Sequence, residues 1–181
     1  MLQLTLPSER AWDEDLERFV SLDRLSVRLE HSLYTVAQWE AEFEVAFLHP
    51  TRKKSDAELA RYIDIMADRE LSDTEVLRLA SSKGREINEY IGAPGGATKI
   101  TEYQTGPDRQ KIITAEVVYG WMIAYRIPLD PCQHWHLNRL ITLIRVCGIQ
   151  QDPNPKKRPM ADVIAERNAL NAARNAEAEH V

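Results

Sequence analysis

Residues 55–80, SDAELARYIDIMADRELSDTEVLRLA, decide the fold class. Ser55 precedes Glu58, and Ser72 precedes Glu75, by the three residues of a capping box, in which hydroxyl and carboxylate each satisfy an orphan N–H of a helix's first turn. After the first box Leu59, Tyr62, Ile63 and Met66 recur at helical spacing. Two helices in succession are therefore expected, the second starting near Asp73 and followed by a short helical segment around Ile87–Ile91. Upstream, Thr35 and Gln38 have the same box spacing, with Val36, Trp39, Phe43 and Phe47 as an apolar stripe.

At the N-terminus the period changes. Leu2, Leu4 and Leu6 alternate with Gln3 and Thr5, and Leu25, Val27 and Leu29 alternate with Ser26 and Arg28, the pattern of half-buried strands. Pro7 stops the first. A small antiparallel β-ribbon of two or three strands is expected, needing helices on its apolar face.

Downstream, Gly92-Ala93-Pro94-Gly95-Gly96 is a loop signal. It lacks the Lys-Ser/Thr ending of a phosphate loop. Asp108 is a candidate cap for a helix from Arg109 to about Tyr125, apolar on nearly every side and so expected to be the buried central helix. Asp130-Pro131 and Gly148 bracket a last core helix over 131–147. The fold class is mainly α (α+β): a β-ribbon over 1–30 packed on a helical domain of five to six helices over 34–148. Residues 151–159, with three prolines and three basic residues, form a linker to a weakly apolar helical tail reaching 181.

The 181 residues carry 23 Lys plus Arg against 28 Asp plus Glu, a net charge of −5. Residues 151–181 are balanced, with five of each sign, so the acidity belongs to 1–150. This is no footprint for nucleic acid. No apolar run approaches the roughly 20 residues of a membrane span, and the opening MLQLTLPSER is not a secretory signal. Two cysteines suit a reducing compartment.

No constellation of catalytic type occurs, and neither a cofactor nor a metal is expected. On a 131–147 helix His134 and His136 project about 200° apart, and Cys132 and Cys147 lie roughly 22 Å apart, too far for a disulfide. Glu116, alone among apolar residues, is expected to be a structural buried acid paired with Arg139 or Arg145. One arc of the same helix carries Trp135, Asn138, Arg139, Thr142 and Arg145. Trp135 and Arg139 are spaced to stack as a cation–π pair. The arc either packs on the ribbon, pairs with Glu116 or binds a partner, and these five residues are the candidate partner contacts.

The segments RLEHSLYTVAQWEAEFEVAFL, TAEVVYGWMIAYRIPLDPCQHWHLNRLITLIRVC and RNALNAARNA resemble a family of small proteins from the tail-gene region of siphophages and prophages of Gram-positive bacteria, known as tail assembly chaperones. Leu29-Glu30-His31-Ser32-Leu33 with Trp39, and Trp135-His136-Leu137-Asn138-Arg139-Leu140, are the most specific parts. The resemblance implies a non-enzymatic protein of the host bacterial cytoplasm that binds the tape-measure protein, with the tail-tube protein as a further partner; a homo-oligomer is left open by the sequence. The alternative it leaves open is a virion structural protein, a head–tail connector or minor tail component.

Overall fold

The computed structural model describes residues 1–13, 17–98 and 112–152, with Ile164, Arg167, Asn168 and Asn171 beyond them. The described residues form an α+β fold of an N-terminal β-ribbon and six helices. β1 (Leu2–Leu6) pairs antiparallel with β4 (Leu25–Leu29), Leu4 opposite Val27 and Leu6 opposite Leu25. β2 (Glu9–Asp13) pairs with β3 (Arg18–Leu22), Trp12 opposite Phe19. The described residues thus hold four strands in two two-stranded antiparallel sheets, not one unit of two or three. The alternating leucines mark only the inner pair, because only Leu4, Leu6, Leu25, Val27 and Leu29 enter the core.

Six helices follow: α1 (Leu33–Phe43), α2 (Asp56–Met66), α3 (Asp73–Gly92), α4 (Ala115–Ala124), α5 (Leu129–Cys132) and α6 (Leu137–Gln151). The boxes at Ser55/Glu58 and Ser72/Glu75 form as read. α1 starts earlier than Thr35/Gln38 implies: Ser32 is its N-cap, and Thr35 is the third helical residue, whose hydroxyl accepts from the Ser32 N–H at 3.0 Å. Threonine here takes the role usually given to Glu or Gln. α3 runs unbroken to Gly92, so Ile87–Ile91 is its last part and not a separate segment.

α2 and α3 cover the ribbon. Arg28 O accepts from the Asp68 N–H and Met66 O from the Glu30 N–H, which closes the free edge of β4 just past the end of α2. At the bend between the strand pairs, Arg78 of α3 donates to Glu9 Oε1 at 2.9 Å, Pro7 O at 2.9 Å and Asp23 O at 3.0 Å. One guanidinium fork therefore fixes the direction in which β2–β3 leaves the body.

Two expectations need correction. The helix placed at Arg109–Tyr125 begins only at Ala115, with Thr114 as N-cap and 112–114 non-helical, while Asp108 falls outside the described residues. The helix placed over 131–147 is two: Asp130 is extended (φ −103°, ψ 131°), as residues before proline prefer, and α6 starts after His136 and runs past Gly148 to Gln151. His136 caps it, Nδ1 accepting from the Asn138 N–H at 3.3 Å while Nε2 donates to Tyr90 O at 3.0 Å.

The loop after α3 is bound to α6. Asn138 Nδ2 donates to Ile91 O (3.1 Å) and Ala93 O (2.8 Å), and Gly95 presses on the first turn of α6 so closely that a Cβ there would lie 2.0 Å from Arg139 N. A glycine is needed because its neighbour is backbone and has nowhere to move. Gly95→Ala is expected to lower stability by about 1–3 kcal/mol in equilibrium urea unfolding, whereas Gly96→Ala, with open space around it, stays within about 0.5 kcal/mol.

Candidate partner-binding site

A polar hub in the core joins the ribbon to four helices. His31, 2% exposed, shares a 2.6 Å hydrogen bond between Nδ1 and the Tyr62 hydroxyl. Its ring packs against His136 at 5.3 Å and Phe47 at 6.0 Å. Tyr90 packs on His136 at 4.9 Å and donates to Glu30 Oε1 at 2.6 Å. Lys54 donates to Phe47 O at 2.7 Å and sits 3.8 Å over the Phe47 ring. Burial holds the His31 pKa down to about 3, with the charges of His136 and Lys54 adding to the effect. Burial likewise pushes Tyr62 and Tyr90 up and Lys54 down.

The buried acid is Glu40, not Glu116. Glu116 is exposed in the first turn of α4 and makes no ion pair among the described residues. Glu40, 7% exposed, lies on α1 and accepts from two backbone donors: Phe47 N–H at 2.7 Å and Ala115 N–H at 2.6 Å. Burial raises its pKa, and the two N–H donors pull the other way. The sequence held the signal, since Glu40 falls four residues after Val36 within the stripe Val36, Trp39, Phe43, Phe47.

The five residues of the α6 arc divide. Asn138 is occupied by Ile91 O and Ala93 O, and Thr142 Oγ1 donates to Asn138 O at 2.7 Å, so both serve the fold. Trp135 and Arg139 do stack, the guanidinium 4.5 Å from the ring centroid. Arg139 and Arg145 are exposed and Trp135 is half-buried. Arg145 borders a cleft of about 510 Å³ between α4 and α6 with Trp121, Tyr125, Ile141 and Ile144. The arc therefore presents Trp135, Arg139 and Arg145 outward.

The histidines of 134–136 also diverge. His134 lies 4.9 Å from the Tyr34 ring, and His136 faces His31 and Tyr90. Among the described residues no group of three or more His, Cys, Asp or Glu is placed to hold a metal ion, and no helix is long and apolar enough to cross a membrane. Cys132 and Cys147 are free thiols.

A second apolar surface lies between α2 and α3, and the sequence carries no signal for it. A groove of about 360 Å³ is lined by Leu59, Ile63 and Met66 of α2 and Leu77, Ala80 and Gly84 of α3, among others. Leu59, expected in the core, is 37% exposed, and Leu77 is 64% exposed. Gly84, on the groove floor, has nothing within 4 Å of where a Cβ would stand. On β2–β3, Trp12 and Phe19 are also exposed and meet edge to face at 5.2 Å.

No family model, curated protein or solved structure matches the chain.

The hub predicts a pH dependence. A histidine whose pKa is lower when folded binds fewer protons there than in the unfolded chain, so its contribution is fully present above pH 6.5 and is lost as pH falls toward about 3. Lowering the pH from 7 to 5 is expected to cost the wild type about 2 kcal/mol more in urea unfolding than it costs His31→Gln. Equal losses in the two proteins would contradict a neutral buried imidazole.

Proposed function

We propose that this chain is a non-enzymatic tail assembly chaperone of a siphophage or prophage, acting in the cytoplasm of its bacterial host. It binds the tape-measure protein, keeps that long helical chain soluble, and helps tail-tube subunits gather around it.

The observation that carries this reading is the groove between α2 and α3. An amphipathic helix docks by laying apolar residues at i, i+3, i+4 and i+7 into a hydrophobic groove between helices. Here Leu59 and Leu77 stand exposed on the two helices that line it, and the bare Cα of Gly84 leaves room for a partner's side chain in its floor. Such an apolar opening between two helices suits a helical partner better than a small polar ligand. The Trp135–Arg139 stack supports the reading from a second side, since Trp and Arg are the residues that most often anchor protein contacts.

Co-expression tests the proposal. The full chain is expected to raise the soluble fraction of the tape-measure protein several-fold. Leu77→Glu, which puts a charge at the groove without disturbing a buried residue, removes most of that gain, and Trp135→Ser with Arg139→Glu removes a smaller part. Unchanged solubility with the wild-type chain contradicts the proposal. So does stoichiometric presence of the chain in purified virions, which is the expectation for a structural tail component.

A further inference from the structure

α4 is apolar on nearly every side, yet only one side is covered. Ala115, Val118 and Met122 are buried, while Glu116, Val117, Gly120, Ile123 and Ala124 are exposed. Positions 116, 117, 120, 123 and 124 fall on one helical face. Ile123 is 67% exposed and Val117 38%. This corrects the expectation of a helix buried all round. Gly120 sits mid-face with nothing within 4 Å of a Cβ. A glycine inside a helix costs about 1 kcal/mol relative to alanine, and among the described residues no contact requires one at this position.

We propose that this face binds the same face of a second copy of the chain, the two α4 helices lying antiparallel about a two-fold axis at Gly120. Pairing about residue 120 sets Val117 of each copy against Ile123 of the other. Gly120 meets Gly120, where the missing side chains let the two backbones approach closely. Residue i thus contacts j and j contacts i, as a two-fold interface requires.

Charge chooses the direction. Glu116 lies at the start of α4 and Arg126 just past its end, exposed and in the left-handed region at φ 58°. Among the described residues neither has an ion-pair partner. The antiparallel arrangement brings Glu116 of each copy to the end of the other copy's α4, beside Arg126, twice. A parallel arrangement would set Glu116 against Glu116, so the charges are self-complementary in one direction only. The face is one side of a ten-residue helix, smaller than a standard stable interface, so the dimer is a weak one, with a Kd on the order of 10 μM. The α2–α3 groove takes no part in it, and the two proposals stand or fall separately.

Sedimentation equilibrium of the full chain over about 1–200 μM tests the pairing. The wild type is expected to show a monomer–dimer equilibrium. Ile123→Glu, at an exposed site, raises the Kd tenfold or more with an unchanged thermal midpoint. Glu116→Lys weakens the dimer and Glu116→Lys with Arg126→Glu restores it. Gly120→Cys gives a disulfide-linked dimer on mild oxidation, a readout of register that does not depend on the other variants. A chain that sediments as a monomer throughout, a dimer indifferent to Ile123→Glu and Glu116→Lys, or a Gly120→Cys protein that does not cross-link would overturn the proposal.

Discussion

The Glu40 carboxylate is the constraint on which the helical half of the molecule depends. It leaves α1 inside the core, and its two oxygens are each taken by a backbone N–H: Phe47 in the turn that follows α1, and Ala115 at the start of α4. α4 has no side-chain cap of its own, so this acid from another helix supplies its N-terminal acceptor and meets the positive end of its dipole. A carboxylate so deeply buried is tolerable only because both donors are fixed in place. The same bond decides which face of α4 looks inward, and thereby leaves Val117, Gly120 and Ile123 outside.

The second organising device is the hub around His31 and His136. Their backbones also meet, with Leu137 N–H donating to His31 O at 2.8 Å and Tyr34 N–H to Gln133 O at 3.1 Å. The entrance to α1 and the entrance to α6 are therefore built as one joint. Asn138 and Gly95 extend that joint to the end of α3. Among the described residues no buried side-chain polar atom lacks a partner, and apolar surface stays exposed at the α2–α3 groove, the outer face of α4 and the Trp12–Phe19 pair. Exposed apolar patches of this kind are candidate contact surfaces for a protein, a membrane or a ligand.

What the sequence revealed follows from how local each signal is. The boxes at Ser55 and Ser72 are complete within four residues, and β1 and β4 carry their own alternation, so these elements were legible. Trp135 and Arg139, four residues apart across the start of α6, were legible for the same reason. α1 was misplaced by a turn because its box uses Thr35 where Glu or Gln is the stronger cue. The starts of α4 and α6 were missed because their caps come from Glu40, 75 residues away, and from a histidine held by Tyr90. Glu116 reads as the buried acid because it stands among apolar residues, while Glu40, although it falls in the apolar stripe of α1, does not stand out; packing sends the exposed face of α4 through Glu116 and the buried face of α1 through Glu40. The groove belongs to two helices at once and has no sequence signature of its own.

The most direct test of this account is equilibrium urea unfolding of Glu40→Gln beside Glu116→Gln. An amide at position 40 presents one acceptor to two N–H groups, so one buried donor is left unsatisfied. The account predicts a loss of about 1–3 kcal/mol for Glu40→Gln and less than about 0.5 kcal/mol for Glu116→Gln. Equal small losses, or the larger loss at Glu116, would contradict it.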